Sequence, residues 1–256
     1  MSFKKRLIEL NRRGLIQGPD ESDEDFLSKC DRSLDKASSS SPLAQKIFDI
    51  DPNWVEIVYD NKGLRFWEGG CTWIEGDRIT LQLKKAFKEK LRHWGYSRDE
   101  LIAHELVHVA RGNFEEPIFE EVLAYQTSSS SFRRFFGPLF RTPTESLVFV
   151  AALALFLGMS FFELFEITSF AVLVSLMSYG IGRLLWTQRI FKRTRTQLSK
   201  LVGDKRALAV MLRLTDREII KFSKMSLDEI VSYAKKMGKI KMRWQQIVSA
   251  YLNKRN

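Results

Sequence analysis

The stretch His104-Glu105-Leu106-Val107-His108 is the starting point for interpreting this chain. If it is helical, the two imidazoles lie one turn apart on the same face and converge on one metal ion. Glu105 then lies beside that ion, where it can take a proton from a metal-bound water. The chain contains three histidines, and this stretch uses two of them. The alternative is a chance match on an amphipathic helix whose histidines are simply packed.

The residues around the motif predict a helix. Ser97-Arg98-Asp99-Glu100 has the S-x-x-E pattern of a capping box, with Ser97 as N-cap and Glu100 reaching back. An apolar run of helical character follows, and Gly112 is a natural C-terminal stop. We therefore expect a helix from about Arg98 to Arg111, with both histidines well inside it.

Two histidines and a water leave one protein ligand to be found for a zinc ion. Pro117 suits the first position of a second helix. One face of that helix would carry Ile118, Glu121, Val122 and Tyr125. A carboxylate within an apolar stripe needs a partner, so Glu121 is the predicted third ligand. The alternative ligands are Glu120, about 100° around the helix, and the loop residues Glu116 and Glu115. These acids could also merely complement the helix dipole.

The pattern His104-Glu105-x-x-His108, followed on a second helix by Glu121-Val122-Leu123-Ala124-Tyr125, resembles the gluzincins, zinc metallopeptidases with a glutamate third ligand. The resemblance covers about residues 54–131 and implies a zinc cofactor, with Glu105 as general base. Only twelve residues separate His108 from Glu121, which suggests a minimal domain with a tight connection. Tyr125 stands where the group often has an acid that orients a ligand histidine, so Tyr125 is a candidate for that task or for assisting the oxyanion.

Residues 54–83 predict an antiparallel meander of three or four strands before the metal helix. Its alternating or β-rich runs are Val55–Tyr59, Leu64–Trp67, Cys71–Ile74 and Arg78–Leu83, with turns at Asp60–Gly63 and Glu75–Asp77. We expect residues 71–83 to supply an edge strand that pairs with an extended substrate. The alternative is an ordinary packed hairpin. A helix near 84–94 is expected to follow.

Two apolar segments predict a membrane hairpin. Residues 146–162 form 17 positions without a charge, and residues 167–186 form 20 positions in which Arg183 is the one charge. Arginines precede the first segment, and arginines and lysines lie at the end of the second segment and beyond it, whereas the connecting turn carries only Glu163 and Glu166. By the positive-inside rule, both termini and the metal motif face the cytoplasm. The alternative is a buried helical hairpin of a soluble protein.

Charged residues are distributed unevenly along the chain. The chain has a net charge of +10, and residues 183–256 hold 19 Lys+Arg against 5 Asp+Glu. This basic tail favours contact with anionic lipid. Nucleic acid is the less favoured partner because aromatic residues for base stacking are sparse there, and a solvated basic face is a further alternative. The two cysteines, Cys30 and Cys71, indicate a reducing compartment.

These observations predict an α+β fold. A zincin-like domain, with an antiparallel sheet, a metal helix and a glutamate helix, precedes a two-helix transmembrane hairpin and an all-α C-terminal region. The expected divisions are a helical and flexible arm at 1–45, the metallopeptidase domain at 46–131, the hairpin at 132–186 and the basic helical region at 187–256. Within the last region we expect helices near 187–201, 204–213, 216–224, 227–237 and 240–253. The predicted function is a membrane-anchored zinc endopeptidase acting on a peptide or protein substrate. The alternative is a membrane scaffold with a structural or absent metal and a partner-binding tail.

Overall fold

The structure is a computed structural model that describes residues 2–34, 40–65, 68–75, 78–93, 95–162 and 165–252. Before the apolar hairpin lie α1 (Phe3–Arg12), α2 (Asp23–Leu34), α3 (Pro42–Phe48), α4 (Ala86–Glu89), α5 (Arg98–Arg111), α6 (Pro117–Ala124) and α7 (Ser131–Phe136). The hairpin is α8 (Pro143–Phe161) and α9 (Glu166–Val202), followed by α10 (Asp204–Leu212), α11 (Asp216–Phe222), α12 (Leu227–Met237) and α13 (Met242–Ile247). The strands are β1 (Glu56–Tyr59), β2 (Gly70–Glu75), β3 (Arg78–Leu83), β4 (Arg92–His93) and β5 (Tyr96–Ser97). With 67% helix and two small sheets, the coarse α+β prediction is confirmed.

The larger sheet is mixed, which corrects the predicted antiparallel meander. Its order is β1-β3-β2, with β1 parallel and β2 antiparallel to β3. Gln82 on β3 explains part of the difference, because its amide donates to the carbonyls of Asp60 and Lys62 and holds the chain after β1 against the sheet. Leu64 and Arg65 are not in a strand. Phe66, Trp67 and the turn residues Gly76 and Asp77 lie outside the described residues.

The predicted helix near 84–94 is also corrected. The structure has only the four residues of α4, after which β4 pairs with β5 in a tight hairpin. Gly95 lies in that hairpin with φ +77°, a conformation that an L side chain rarely adopts. The hairpin pairing therefore ends the helix early. Trp94 lies outside the described residues.

One hydrophobic core joins the two ends of the chain. It draws residues from α1, α3, α5 and α6, and again from the second half of α9 through α13. Among the described residues, none between Ala124 and Ile190 belongs to this core. The buried guanidinium of Arg213 fastens the two ends together by donating to the carbonyls of Asn11, Phe48 and Ala209. The predicted division into four regions stays a prediction, but the first, second and fourth of them share this core.

The apolar hairpin lies outside that core. Both α8 and α9 are long and apolar enough to span a membrane, and no described residue of the stretch Thr144–Phe161 is buried. At the base of the hairpin, Arg183 donates to both carboxylate oxygens of Glu145 at 2.6 Å, and Arg141 donates to Thr187. α9 continues without a break to Val202, so the predicted helix at 187–201 is the second half of this long helix. Residues 163 and 164 of the predicted turn lie outside the described residues.

The described part of the C-terminal region, residues 187–252, contains helices and no strands, as predicted. α12 has the predicted bounds, and α13 ends earlier than expected because it passes into a π-helical turn at Val248–Leu252. The Thr215–Glu218 and Ser226–Glu229 pairs form complete capping boxes at the starts of α11 and α12. These caps fix where both helices begin.

Candidate metal centre

The metal motif lies on α5, whose bounds match the prediction. The predicted capping box is wrong, because the Ser97 side chain makes no capping hydrogen bond. The Glu100 carboxylate instead accepts from the backbone N–H of Ser129 at 2.8 Å and from Arg133 at 3.0 Å. Glu100 therefore ties the start of α5 to the chain that leaves α6.

Three predicted ligands come together between α5 and α6. Nε2 of His104 lies 3.7 Å from one oxygen of Glu121, and Nε2 of His108 lies 3.6 Å from the other. One ligand atom from each of the three residues lies within 4.8 Å of the other two. Ligands placed tetrahedrally about zinc at ~2.0–2.1 Å are themselves ~3.4 Å apart. The cluster therefore has the donor types and nearly the spacing that a zinc ion requires.

The second nitrogen of each ring is also held. Nδ1 of His108 lies 2.7 Å from Oε1 of Glu120, and the ring of His104 donates a hydrogen bond to the backbone carbonyl of Ala124. Such partners fix the orientation of a ligating imidazole. Glu120, considered from the sequence as an alternative ligand, thus lies behind His108 rather than in front of it.

The other alternative residues lie elsewhere. Glu116 accepts a hydrogen bond from the backbone N–H of Asp216 and lies 3.9 Å from Arg111. Glu115 is exposed in the loop, with φ +52°. The ring of Tyr125 packs edge-on against His104, with 4.9 Å between centroids, so Tyr125 borders the cluster. Cys30 is fully buried in the core and is not part of the cluster.

Burial and neighbouring charges shift the pKa values of the two histidines in opposite directions. Burial, together with the nearby His108 ring, lowers the pKa of His104 to about 3, which leaves this imidazole neutral and able to bind a cation. Burial opposes the charged form of His108 as well, but the hydrogen bond to Glu120 and the Glu121 and Glu105 carboxylates raise its pKa to about 9. Burial is also the main cause of the raised pKa of Glu121. The cluster therefore concentrates negative charge that a divalent cation would neutralise.

Glu105 faces a cleft beside the cluster. The residue is 8% exposed, and its carboxylate accepts a hydrogen bond from the Thr72 hydroxyl on β2 at 3.1 Å. Burial raises the pKa of Glu105, which favours its use as a proton acceptor near neutral pH. The cleft has a volume of about 210 Å³ and is lined by Glu68, Gly69, Gly70, Tyr96, Glu100, Leu101, His104, Glu105, Tyr125, Thr127 and Ser128.

The C-terminal region makes hydrogen bonds to both helices that carry the proposed ligands. The carboxylate of Asp216 accepts from the N–H groups of Ile118 and Phe119 at the first turn of α6. The buried guanidinium of Arg111, at the end of α5, donates to the carbonyls of Leu212 and Leu214. The contacts of Asp216 and Thr72 were not predictable from the sequence, because neither residue belongs to a local pattern that includes the motif.

No model of a known protein family, no curated protein and no solved structure matches this chain. The features of the molecule that indicate a function are therefore the donor set, its spacing and the cleft beside it.

Proposed function

We propose that this chain is a membrane-anchored zinc endopeptidase of the gluzincin kind, with its active site on the cytoplasmic side. The observation that carries the proposal is the convergence of His104, His108 and Glu121 beside a cleft that contains Glu105. Zinc bound there would supply a Lewis acid that lowers the pKa of a coordinated water and polarises the scissile carbonyl.

The remaining chemistry belongs to the side chains of the chain. Glu105 accepts the proton of the attacking water and later delivers it to the leaving amine. Thr72 holds the Glu105 carboxylate in the cleft through its hydroxyl. Glu120 and the Ala124 carbonyl keep the two imidazoles turned toward the ion.

The substrate backbone would lie along β2. Among the described strands, β2 is at an edge of the mixed sheet and pairs with β3 on one side. Its Thr72 contacts Glu105, so an added strand would run next to the general base. An edge strand binds an extended peptide through its free N–H and C=O groups. The side chains of Trp73 and Ile74 are 41% and 56% exposed and offer apolar contacts.

A structural metal in a non-catalytic scaffold is less well supported. A closed zinc site needs four protein ligands. Among the described residues, the cluster of candidate ligands comprises three. The carboxylate of Glu120 is engaged with the far nitrogen of His108. An open coordination position next to a buried glutamate favours catalysis.

The test is zinc content and hydrolysis of a fluorescent unfolded polypeptide by the full chain in detergent. Glu105→Gln should keep its zinc and lose about 10²–10⁴-fold in hydrolysis, because the amide cannot accept the proton. Glu121→Ala should lose zinc affinity. Glu115→Gln, an exposed acid in the same region, is the matched control and should behave as wild type. Wild-type protein that carries no zinc when prepared without a chelator would contradict the proposal.

A further inference from the structure

The short helix α7 connects the cleft to the hairpin. On one side, the guanidinium of Arg133 donates to the carbonyl of Gly95 at 2.7 Å, to Ser128 at 2.9 Å and to Glu100 at 3.0 Å, and it stacks on the Tyr96 ring at 4.6 Å. Tyr96, Glu100 and Ser128 all line the cleft. α7 is therefore fastened directly to the cleft wall.

Three phenylalanines on α7 are exposed. Phe132, Phe135 and Phe136 are 69%, 37% and 42% exposed, and the ring of Phe136 lies within 4.9 Å of the other two, centroid to centroid. A contiguous aromatic cluster of this kind in water is unfavourable unless it is covered. We call Phe132, Phe135 and Phe136 the aromatic cluster.

The aromatic cluster lies at the base of the hairpin. Gln188 on α9 donates to the backbone carbonyls of Arg134 and Phe135 at 3.3 and 3.0 Å. Just after α7, the carbonyl of Leu139 accepts from Arg183 at 2.9 Å. Arg183 and Gln188 bracket the end of the apolar part of α9, which is where the polar boundary of a bilayer would lie. Aromatic side chains are enriched at that boundary.

We propose that the aromatic cluster lies in the membrane interface and that the cleft takes its substrate from the membrane surface. The substrate class is a polypeptide segment that lies next to a membrane anchor, such as the cytoplasmic flank of another membrane protein. This inference rests on the proposed peptidase function for the substrate, and on the proposed membrane insertion of α8 and α9 for the surface.

Geometry limits how far from its anchor such a segment can be cut. The six residues of α7 extend for only about 9 Å. An extended chain covers about 3.3 Å per residue. A segment of roughly ten residues can therefore reach from the interface, past α7, and along the cleft. Tethering should raise the rate of hydrolysis little at bonds much farther from the anchor, because the effective concentration of such a bond at the cleft falls as the linker lengthens.

The experiment uses the full chain in vesicles of phosphatidylcholine and phosphatidylglycerol. One fluorogenic unfolded polypeptide is supplied free, or attached to a lipid anchor through a spacer of about 5 or about 40 residues. Tethering through the short spacer should raise the rate of hydrolysis by about tenfold or more, and the long spacer should raise it less. Phe132→Ser should remove most of this gain without changing hydrolysis of the free polypeptide. Ile240→Ser, which alters an apolar side chain 62% exposed in the C-terminal region, is the matched control and should keep the gain.

Equal hydrolysis of free and tethered polypeptide by the wild type would overturn the proposal, and so would a full gain in Phe132→Ser. A second measurement does not need hydrolysis. Phe132→Cys carries a polarity-sensitive fluorophore in a Cys71→Ser background, while Cys30 stays unlabelled because it is fully buried. The probe should be quenched by lipids brominated near the headgroup, whereas a probe at Ile240→Cys should not. An unquenched probe at position 132 overturns the placement of α7. A quenched probe in a zinc-loaded protein that hydrolyses neither polypeptide supports the placement and contradicts the peptidase function instead.

Discussion

At the residue scale, Glu120 and Glu121 show how two adjacent acids acquire different tasks. They are about 100° apart around α6, so only one of them can face the ring nitrogens that point into the cluster. Glu121 faces Nε2 of both histidines, and Glu120 passes beside α5 to reach Nδ1 of His108. The negative charge behind the ring increases the electron density that the imidazole offers to a cation. Glu120 thus contacts His108 in the way that the gluzincin resemblance assigns to an acid at the position of Tyr125.

Replacing Glu120 should weaken zinc binding without removing a ligand. We expect Glu120→Ala to lose about 10–100-fold in zinc affinity, because the His108 ring loses its acceptor and its fixed orientation. Glu120→Gln should lose less, since the amide oxygen still accepts the Nδ1–H hydrogen bond but carries no charge. Zinc affinity is measured by competition with a chromophoric chelator, with Glu115→Gln as the control. An unchanged affinity in Glu120→Ala would show that Glu120 does not orient His108.

Sequence reasoning succeeded at this scale where chemistry follows helical spacing. The i, i+4 pair His104 and His108 and the apolar-face position of Glu121 were enough to predict the cluster that the structure assembles. The role of Glu120 was not predictable, because it depends on which nitrogen of a ring on another helix faces α6. Thr72 was not predictable either, since its contact with Glu105 crosses 33 positions of the chain.

At the scale of elements, the glutamate helix α6 depends on a distant cap. α6 is eight residues long, too short to be stable alone. Its own N-cap residue, Glu116, makes no capping bond, and Asp216 supplies the missing acceptors. Asp216 also lies 3.7 Å from the buried Arg111 of α5. One carboxylate from the C-terminal region therefore fixes α6 relative to α5, which sets the separation of Glu121 from the two histidines.

Asp216→Ala should therefore destabilise the fold and also weaken zinc binding. The loss of two capping hydrogen bonds and of a charge facing Arg111 should cost about 1–3 kcal/mol in the free energy of unfolding. Burial raises the pKa of Asp216 to about 6 despite Arg111, so the measurement is made at pH 7.5, where the group is charged. The readouts are thermal unfolding in detergent and zinc affinity.

Two further variants test whether the cap itself is responsible. Asp216→Asn should recover part of both losses, because its amide oxygen still accepts from the start of α6. Asp228→Ala removes an exposed acid from the first turn of α12 and should change stability far less and zinc affinity not at all. Equal stability and zinc affinity in wild type and Asp216→Ala would refute the role given to this residue.

The bounds of elements were predictable where a local signal marks them. α5 and α12 begin and end where the sequence placed them, since apolar spacing and a terminal glycine identify their limits. The predicted strand pairing was wrong because the parallel partner of β1 lies more than 20 positions away, and local alternation does not specify the direction of a strand. The prediction of a helix at 84–94 was wrong because the last of these residues pair in the β4–β5 hairpin instead.

At the scale of the whole molecule, the hairpin is an insertion into a body whose core is formed by residues that precede and follow it. The core unites both ends of the chain, and among the described residues it takes nothing from 125–189. The two ends of the insertion are close, because Arg141 donates to Thr187 at 2.9 Å and Gln188 donates to the carbonyls of Arg134 and Phe135 near the end of α7. Sequence order suggested a tail that follows the membrane segment. The structure instead shows that this tail completes the body that contains the His/His/Glu cluster, a long-range relation that no local pattern encodes.

The hairpin should therefore be removable. Replacing residues 143–185 with a short Gly/Ser linker from Thr142 to Trp186 removes the exposed apolar surface of the hairpin and leaves the core residues intact. We expect a protein that stays soluble without detergent, unfolds cooperatively on heating and binds one zinc ion per chain with nearly the affinity of the full-length protein. The same deletion with Glu121→Ala is the control and should remain folded with weaker zinc binding.

By contrast, cutting the chain after Val202 should unfold the site even though every proposed ligand is present, because Arg111 and α6 lose the carbonyls and the carboxylate that hold them. If the truncated chain binds zinc and the hairpin-deleted chain does not, then the metal site depends on the membrane segment and not on the C-terminal helices.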